Sequence, residues 1–525
     1  MKFLPQSLDG SDLMLLRTYY DSGTKDFKTP DDVLDIVYKD IISGNIYIES
    51  IKNPKIEIYV VKPEFRDFDY YKNFIEIEKC NRYLVHYKTR YSEIADIMGI
   101  TPKEVKYSKF VYQIDLDIEH YYMMQWVAEY SKDNQDKPLS IAFSDIESDI
   151  IALEKNFSKP GEVPTNAISY LDTNTMTMYT MVCIQDNVPH VSKSNVKYEL
   201  YEKLRNDFKD QTNYFIDHIE DFVKECHDDF DASYGHIDYK IMVFEDEMAL
   251  YNAYWKMVHH CQNDYCEFWN APYDIGNLIE RPRVLGYDPN DIIPDPDFRR
   301  SRDLKGCCPD IRITWHEDKN YEVHKRRHIF NTYTKTIFTD DMVNYAGIRS
   351  GKGKLESVKL NAIARKELED EKLDYSEYGN IKYFPYLDWW KFVKYNIKDV
   401  LLQFGIDKKV HDTDYVYNLM TSTALKPSEI FTSTQLVSND LRLFALIEFN
   451  MVMSSNANKL FRVKKTEEQI KQEKLNKFAG AFVMNTEHCS PTGFKLLGIL
   501  NKYIHAHIID FDVGAELREA QGKPN

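Results

Sequence analysis

Three acidic segments stand in a fixed order along the chain and restrict the folds that could bring them together. Asp145 and Glu147 form an Asp-x-Glu, Asp274 ends an Asn-Ala-Pro-Tyr-Asp segment, and Tyr395 and Asp399 form a Tyr-x-x-x-Asp. Four carboxylates and a phenol are the residue types that hold two divalent cations around a phosphodiester. The segments therefore predict a nuclease site that a tertiary fold has to assemble.

The local pattern around the first segment is that of a strand. Leu139, Ile141, Phe143, Asp145 and Glu147 alternate with other residues, so all five would point to one face of the strand. Both carboxylates would then face the same metal site.

The other two segments are predicted at the ends of regular elements. A short strand over 264–269 leads into Asn270, so that Asp274 opens the following helix. A helix from Trp389 to about Val410 places Tyr395 and Asp399 one turn apart on one face. Further patterns predict strands over 176–184 and 239–244, helices over 196–228 and 245–260, and a hairpin over 311–338.

Length and composition limit the class of protein. A chain of 525 residues with 43% hydrophobic and 14% aromatic residues is typical of a globular protein with two to four domains. No apolar run of membrane-spanning length occurs and no apolar leader follows Met1, which predicts a cytoplasmic protein without a membrane partner. A net charge of −17 argues against a uniformly basic surface that wraps nucleic acid, but not against a local channel. Each of two basic stretches, 299–328 and 459–477, is either a DNA contact or a solvated surface.

The eight cysteines are spread through the chain and are predicted to be reduced thiols. A zinc site from His260, Cys261, Cys266, Cys307 and Cys308 is an alternative, although these residues lack the CxxC spacing of most structural zinc sites.

Each acidic segment alone also has an ordinary explanation. An Asp-x-Glu on a strand is most often solvated, an Asp at a helix start is most often an N-cap, and a Tyr-x-x-x-Asp is most often half-exposed. The order of strand, strand-turn-helix and helix favours one converging site. Hard oxygen ligands of this kind select Mg²⁺ or Mn²⁺.

The three segments together resemble the exonuclease motifs in the N-terminal half of a family B DNA polymerase, most closely the bacteriophage replicative kind. Residues 143–147, 270–274 and 395–399 are similar to the first, second and third motif, and 366–375 resembles the stretch before the third. The resemblance implies an RNase H-like fold over 126–410 and a 3′→5′ proofreading exonuclease.

The resemblance also implies a role for each residue. Asp145 would bridge two Mg²⁺ or Mn²⁺ ions, Glu147 and Asp399 would complete the site of the water-activating ion, and Asp274 would support the second ion. Tyr395 would position the attacking water while its phenol stays neutral.

Two further features of the family have counterparts here. Asn270 would contact the primer end, and the hairpin over 311–338 would correspond to the hairpin that partitions the strands.

The region after 410 resembles the family only in part. Phe478 and Gly480 lie in a segment similar to the Tyr-x-Gly-Gly/Ala run that communicates between the exonuclease and polymerase sites. The resemblance implies that both residues contact DNA. Residues 508–515 resemble the start of polymerase motif A, with Asp512 as a metal ligand, but the sequence then departs from the family. The triplet 412–414, Asp-Thr-Asp, is predicted to be a solvated helix face and not the catalytic triplet of the palm.

These observations predict an α/β protein in three parts. An N-terminal mixed α+β domain covers 1–125, an RNase H-like exonuclease covers 126–410, and linker helices with a truncated palm cover 411–525. The predicted role is the N-terminal piece of a split replicative polymerase in a bacterial host cytoplasm. Its partners would be the DNA 3′ end, a complementary C-terminal chain, a sliding clamp and other replisome proteins. The alternatives are a stand-alone 3′→5′ exonuclease and a catalytically silent scaffold that binds DNA or a partner.

Overall fold

A computed structural model describes residues 13–23, 31–67, 72–130, 139–154, 158–298, 311–314, 322–352 and 355–454. These ranges all fall within Met1–Ala457, which forms one compact unit. Across the described ranges no helix is both long and apolar enough to cross a membrane. The predictions for Phe478, Gly480 and Asp512 and for the basic stretch 459–477 lie outside the described residues.

The N-terminal region contains two small antiparallel sheets and three helices. Its first sheet has the order β1-β2-β3 and its second the order β6-β4-β7. The elements are β1 (Leu13–Asp21), β2 (Val33–Asp40), β3 (Ile46–Lys52), β4 (Lys55–Val61), β5 (Phe74–Glu76), β6 (Cys80–His86), α1 (Arg90–Met98), α2 (Pro102–Tyr107), β7 (Val111–Tyr112) and α3 (Ile118–Tyr130). This mixed composition agrees with the sequence prediction, while the domain boundary at 125 stays a prediction.

The central region is built on a mixed six-stranded sheet with the order β11-β10-β9-β8-β12-β15. Strands β8, β9 and β10 are antiparallel to their neighbours in that group, whereas β12 is parallel to β8 and β15 is parallel to β12. The elements are β8 (Ile141–Ser148), β9 (Thr165–Asp172), β10 (Thr177–Cys183), α4 (Tyr198–Asp217), α5 (Ile219–Tyr234), β11 (Asp238–Phe244), α6 (Glu247–Cys261), β12 (Tyr265–Phe268), α7 (Ala271–Val284), α8 (Pro289–Ile292), β13 (Arg312–Thr314), β14 (Ile329–Asn331), β15 (Ile337–Asp340) and α9 (Asp341–Ile348). The α/β class is therefore confirmed.

The remaining described elements are mostly helical. They are α10 (Leu360–Leu368), α11 (Phe384–Leu387), α12 (Trp389–Val410), α13 (Asp412–Thr423), α14 (Ser433–Phe449) and β16 (Met451–Met453). Strand β16 pairs with β5, so the chain returns to the N-terminal region after the long helices. The boundary predicted at 410 is not tested by this arrangement.

The alternation in β8 decides which face of the sheet carries the acids. Ala142 and Ile146 join the hydrophobic cluster formed with α6 and α7 on one face. Phe143 faces the other side, where its ring lies 5.9 Å from that of Phe404 in α12. Asp145 continues the Phe143 face, because side chains alternate along a strand. Helix α12 therefore covers the acidic face of β8.

The predicted hairpin over 311–338 is confirmed as far as Asn331 in its two described strands, but not at its C-terminal end. Strands β13 and β14 pair antiparallel, as a hairpin requires. Residues 337–338, which the pattern assigned to the same hairpin, instead begin β15 at the edge of the six-stranded sheet. All four residues of β15 are buried. This burial fits a parallel strand in a sheet that is covered on both faces, and it does not fit a solvated hairpin.

The interpretation of 412–414 as a solvated helix face is wrong. Asp412 is 2% exposed and accepts hydrogen bonds from both terminal nitrogens of Arg349. Thr413 is also buried and donates its hydroxyl to Asp407 at 2.9 Å. Only Asp414 remains partly exposed. The residues are hidden because α13 starts a new packed helix after His411, which adopts the left-handed conformation.

Candidate metal centre

Asp145 and Glu147 lie half-buried at the end of β8, two positions apart on the face that α12 covers. Asp399 comes from α12 and is 1% exposed. One carboxylate oxygen from each of the three lies within 4.8 Å of the other two. The structure thus brings together acids that lie far apart in the sequence, since Asp145 and Asp399 are separated by more than 250 positions.

Asp274 reaches the same group from α7. Asn270 takes the left-handed conformation (φ 73°) that turns the chain sharply after β12, and Ala271 and Pro272 then begin the helix. The side chain of Asp274 is 5% exposed and accepts a hydrogen bond from the backbone of Ile146 in β8. It is not the N-cap, which is Asn270, so the ordinary explanation of this acid does not apply.

The four carboxylates repel one another in a site from which much water is excluded. Burial, followed by the charge of Asp399, raises the pKa of Asp145 to about 7. Burial and the neighbouring acids also raise the pKa of Glu147 and of Asp274 above their ordinary values. Such mutual repulsion is relieved when a cation binds between the carboxylates.

Lys372 supplies a positive charge to this group. Its ammonium forms an ion pair with Asp399 and lies 3.3 Å from the hydroxyl of Tyr395. Burial raises the pKa of Asp399, and the charge of Lys372 opposes that rise. Lys372 belongs to the 366–375 stretch that the sequence set apart, but no function followed from the sequence because no local pattern links it to α12.

Asn396 is a second neighbour that sequence reasoning missed. It is completely buried, and its amide donates to Asp145 Oδ2 at 2.9 Å. It lies next to Tyr395 in the third acidic segment. Its position inside the Tyr-x-x-x-Asp segment, between two predicted site residues, is the sequence signal that could have identified it.

Tyr395 is 5% exposed, and its ring packs edge-on against the rings of Tyr375 and Phe384. Burial and the charge of Asp399 raise the pKa of its phenol far above neutrality. The hydroxyl therefore stays protonated and can both donate and accept hydrogen bonds.

A cleft of about 900 Å³ opens beside this group. Tyr395, Lys372 and the exposed Asn270 are among the residues that line it. Its other lining residues are Trp269, Met342, 358–361, Arg365, Glu371 and 373–376. Asn270 therefore lines the same cleft as Tyr395 and Lys372, and its contact to DNA stays a prediction.

The alternative zinc site has no support among the described residues. Cys261 and Cys266 are free thiols, and burial raises the pKa of Cys261 to about 12. Among the described residues, neither cysteine has enough potential ligands close to it to hold a metal. Cys307 and Cys308 lie outside those ranges.

Comparison with known proteins gives a distant match. No family model matches the chain. The chain is similar to a DNA polymerase of Orgyia pseudotsugata multicapsid polyhedrosis virus, with 22% identity over 181 residues. The matched stretch is 34% of this chain and only 17% of the viral polymerase. The match indicates a distant relationship to a viral DNA polymerase over a third of the chain.

Proposed function

We propose that the chain is part of a family B type DNA polymerase and carries a Mg²⁺-dependent 3′→5′ exonuclease that removes nucleotides from DNA 3′ ends. The observation that carries the proposal is the meeting of Asp145, Glu147 and Asp399 within 4.8 Å of one another. Lys372, which pairs with Asp399, and Tyr395 line a neighbouring cleft. The relationship to a viral DNA polymerase supports DNA as the substrate.

The fold is consistent with the proposed RNase H-like core. Three antiparallel strands stand side by side, and two parallel strands extend the sheet on the side of β8. The acids come from the first of these strands, from the helix after β12 and from the long helix α12. This is the order of elements that the three motifs imply.

The donor set fits a hard divalent cation. All four acids offer carboxylate oxygens, and Asp399 Oδ1 is buried without a hydrogen-bond partner among the described residues. Asp145, Glu147 and Asp399 would hold one Mg²⁺, and Asp145 with Asp274 would hold a second. When bound, these ions supply an activated water and stabilise the leaving oxygen.

The chain's own residues prepare this site. Asn396 fixes the orientation of Asp145, and Lys372 favours the ionised form of Asp399. The Tyr395 hydroxyl lies beside Asp399 and Lys372, where it can orient a water by a hydrogen bond. These three residues would position the carboxylates and the water, whereas the four acids would bind the cations.

The cleft would hold the end of a single strand. Tyr375 lines it, is only half-buried and offers an aromatic ring on which a base could stack. Lys359 and Arg365 line it as well and would offer positive charge to the phosphates, although Arg365 pairs with Glu371 of the same lining. Cations placed locally in this way are compatible with the net charge of −17.

The test is digestion of a 5′-labelled single-stranded oligonucleotide with Mg²⁺. The wild-type chain should give a ladder of 3′-shortened products, and the Asp145→Ala/Glu147→Ala variant should give none. A matched control removes two exposed acids of α4, Glu199→Ala/Asp210→Ala, and should keep the wild-type rate. No digestion by a folded wild-type chain would refute the exonuclease and favour the scaffold alternative. Equal digestion of RNA would favour an enzyme that is not specific for DNA.

A further inference from the structure

A second group of potential ligands lies at the C-terminal end of α5, apart from the acidic site. His227 and Asp231 are four residues apart, so they share one face of the last helical turns. Gly235 ends the helix with φ 90°, and the chain then brings His236 back over the same face. The rings of His227 and His236 stack with their centroids 5.1 Å apart.

The three side chains point their ligand atoms at one place. Nδ1 of His227 lies 3.0 Å from Asp231 Oδ2, and Nδ1 of His236 lies 2.9 Å from the same oxygen. Bonds of about 2.0–2.1 Å in a tetrahedral zinc site put ligand atoms roughly 3.4 Å apart. The two separations from Asp231 Oδ2 therefore need to widen by only a few tenths of an ångström to admit a metal ion, and all three ligand atoms already lie within 4.8 Å of one another.

Two neighbouring features suit a metal ligand set. Asp231 Oδ1 is buried and has no hydrogen-bond partner within the described part of the chain. Asp238 Oδ1 lies 3.7 Å from the other ring nitrogen of His236. This separation is longer than a hydrogen bond, but a small movement of Asp238 would let its carboxylate accept from that nitrogen, as carboxylates beside metal-binding histidines commonly do.

We propose that His227, Asp231 and His236 form a Zn²⁺ site with solvent as the fourth ligand. Two imidazoles and one carboxylate suit zinc better than Mg²⁺, which prefers oxygen ligands. His236 is 74% exposed on its side chain, which leaves a path for the ion and room for water. The bound ion would tie the last turns of α5 to the short segment between α5 and β11 that carries His236.

The test uses the full-length chain without a histidine tag, carrying Asp145→Ala/Glu147→Ala so that the exonuclease site loses two ligands. Titration calorimetry with ZnCl₂ should give one tight site per chain. X-ray absorption should show nitrogen and oxygen neighbours at about 2.0–2.1 Å and no sulfur at about 2.3 Å. His227→Ala and His236→Gln should each weaken zinc binding at least tenfold.

His218→Ala provides the matched control, since His218 precedes α5 and contacts only Tyr214 among the interactions described for its ring. It should leave the zinc affinity unchanged. Because His236 is exposed, we expect the His236→Gln variant to fold as the wild type does, and circular dichroism checks this. Lost binding in that variant would then reflect the lost ligand. Unchanged affinity in the His227→Ala/His236→Gln variant, sulfur neighbours, or no zinc on the folded chain would each overturn the proposal.

Discussion

The side-chain amide of Asn396 donates a 2.9 Å hydrogen bond to Asp145 Oδ2 and so joins helix α12 to strand β8 inside the acidic site. Asn396 is completely buried, and its own oxygen has no partner among the described residues. The bond lowers the pKa of Asp145 against the larger effect of burial. A residue with this geometry orients Asp145, which is a metal ligand under the proposed function, and would do so without touching the substrate.

Replacing Asn396 should therefore slow the proposed exonuclease without abolishing the proposed binding of DNA. Asn396→Ala is expected to reduce kcat by about 10–100-fold with KM little changed, because residues that orient ligands have effects of that size. Steady-state kinetics on a labelled oligonucleotide measure the two constants. Asn418→Ala, an exposed asparagine of α13, is the control. A variant with wild-type kcat would mean that Asp145 is oriented by its strand alone.

Lys372 should control the pH dependence of the reaction. Its charge lowers the pKa of Asp399, so Lys372→Ala raises that pKa further and leaves less of the carboxylate ionised at neutral pH. We expect a loss of about 100-fold in rate and a shift of the acidic limb of the pH–rate profile to higher pH. Lys372→Arg keeps the charge and should restore part of the rate.

The exposed Lys209→Ala of α4 is the control for the lysine experiment and should leave the profile unchanged. A uniform loss of rate at every pH in Lys372→Ala would contradict the electrostatic role and leave only a packing role.

Tyr395→Phe removes the hydroxyl and keeps the ring that packs against Tyr375 and Phe384. The rate should fall by about 10–100-fold because the hydroxyl no longer orients water. Thermal unfolding should stay close to that of the wild type, since the aromatic contacts remain. Tyr214→Phe, with a side chain 56% exposed, serves as the comparison. Full activity in Tyr395→Phe would show that the hydroxyl has no part in the reaction and that Tyr395 serves only in packing.

Glu267 should make stability depend on pH. It lies completely buried on β12, and burial raises its pKa from 4.5 to about 8. Its folded-state pKa exceeds the unfolded value, so its contribution to stability is fully present below 4.5 and is lost as the pH rises through 8. Glu267→Gln keeps the shape without the charge.

The expected result is a higher melting temperature for Glu267→Gln than for the wild type at about pH 9, worth on the order of 1–3 kcal/mol. The difference should vanish towards about pH 4, where both side chains are neutral. Melting curves across this range measure it, with the exposed Glu199→Gln as the control. Parallel curves for the two proteins would show that Glu267 does not titrate with folding.

Local patterns predicted the elements that carry the site. The helix over 389–410 begins and ends as the sequence indicated, and the strand with Asp145 begins at Ile141, two residues later than the alternating pattern suggested. Apolar periodicity is a property of neighbouring residues, so one sequence is enough to find it. The order of the acidic segments also indicated that they would meet.

Only the tertiary structure identified the partners of these residues. Lys372 pairs with Asp399 across 27 positions, and Arg349 neutralises Asp412 across 63. Likewise, β16 pairs with β5 from the far end of the described chain. Such contacts form when packing closes long loops, and no local pattern specifies which charge or strand edge then becomes a neighbour. The sequence by itself determined which residues have the chemistry of the site, and the packing of α12 on β8 decided what surrounds them.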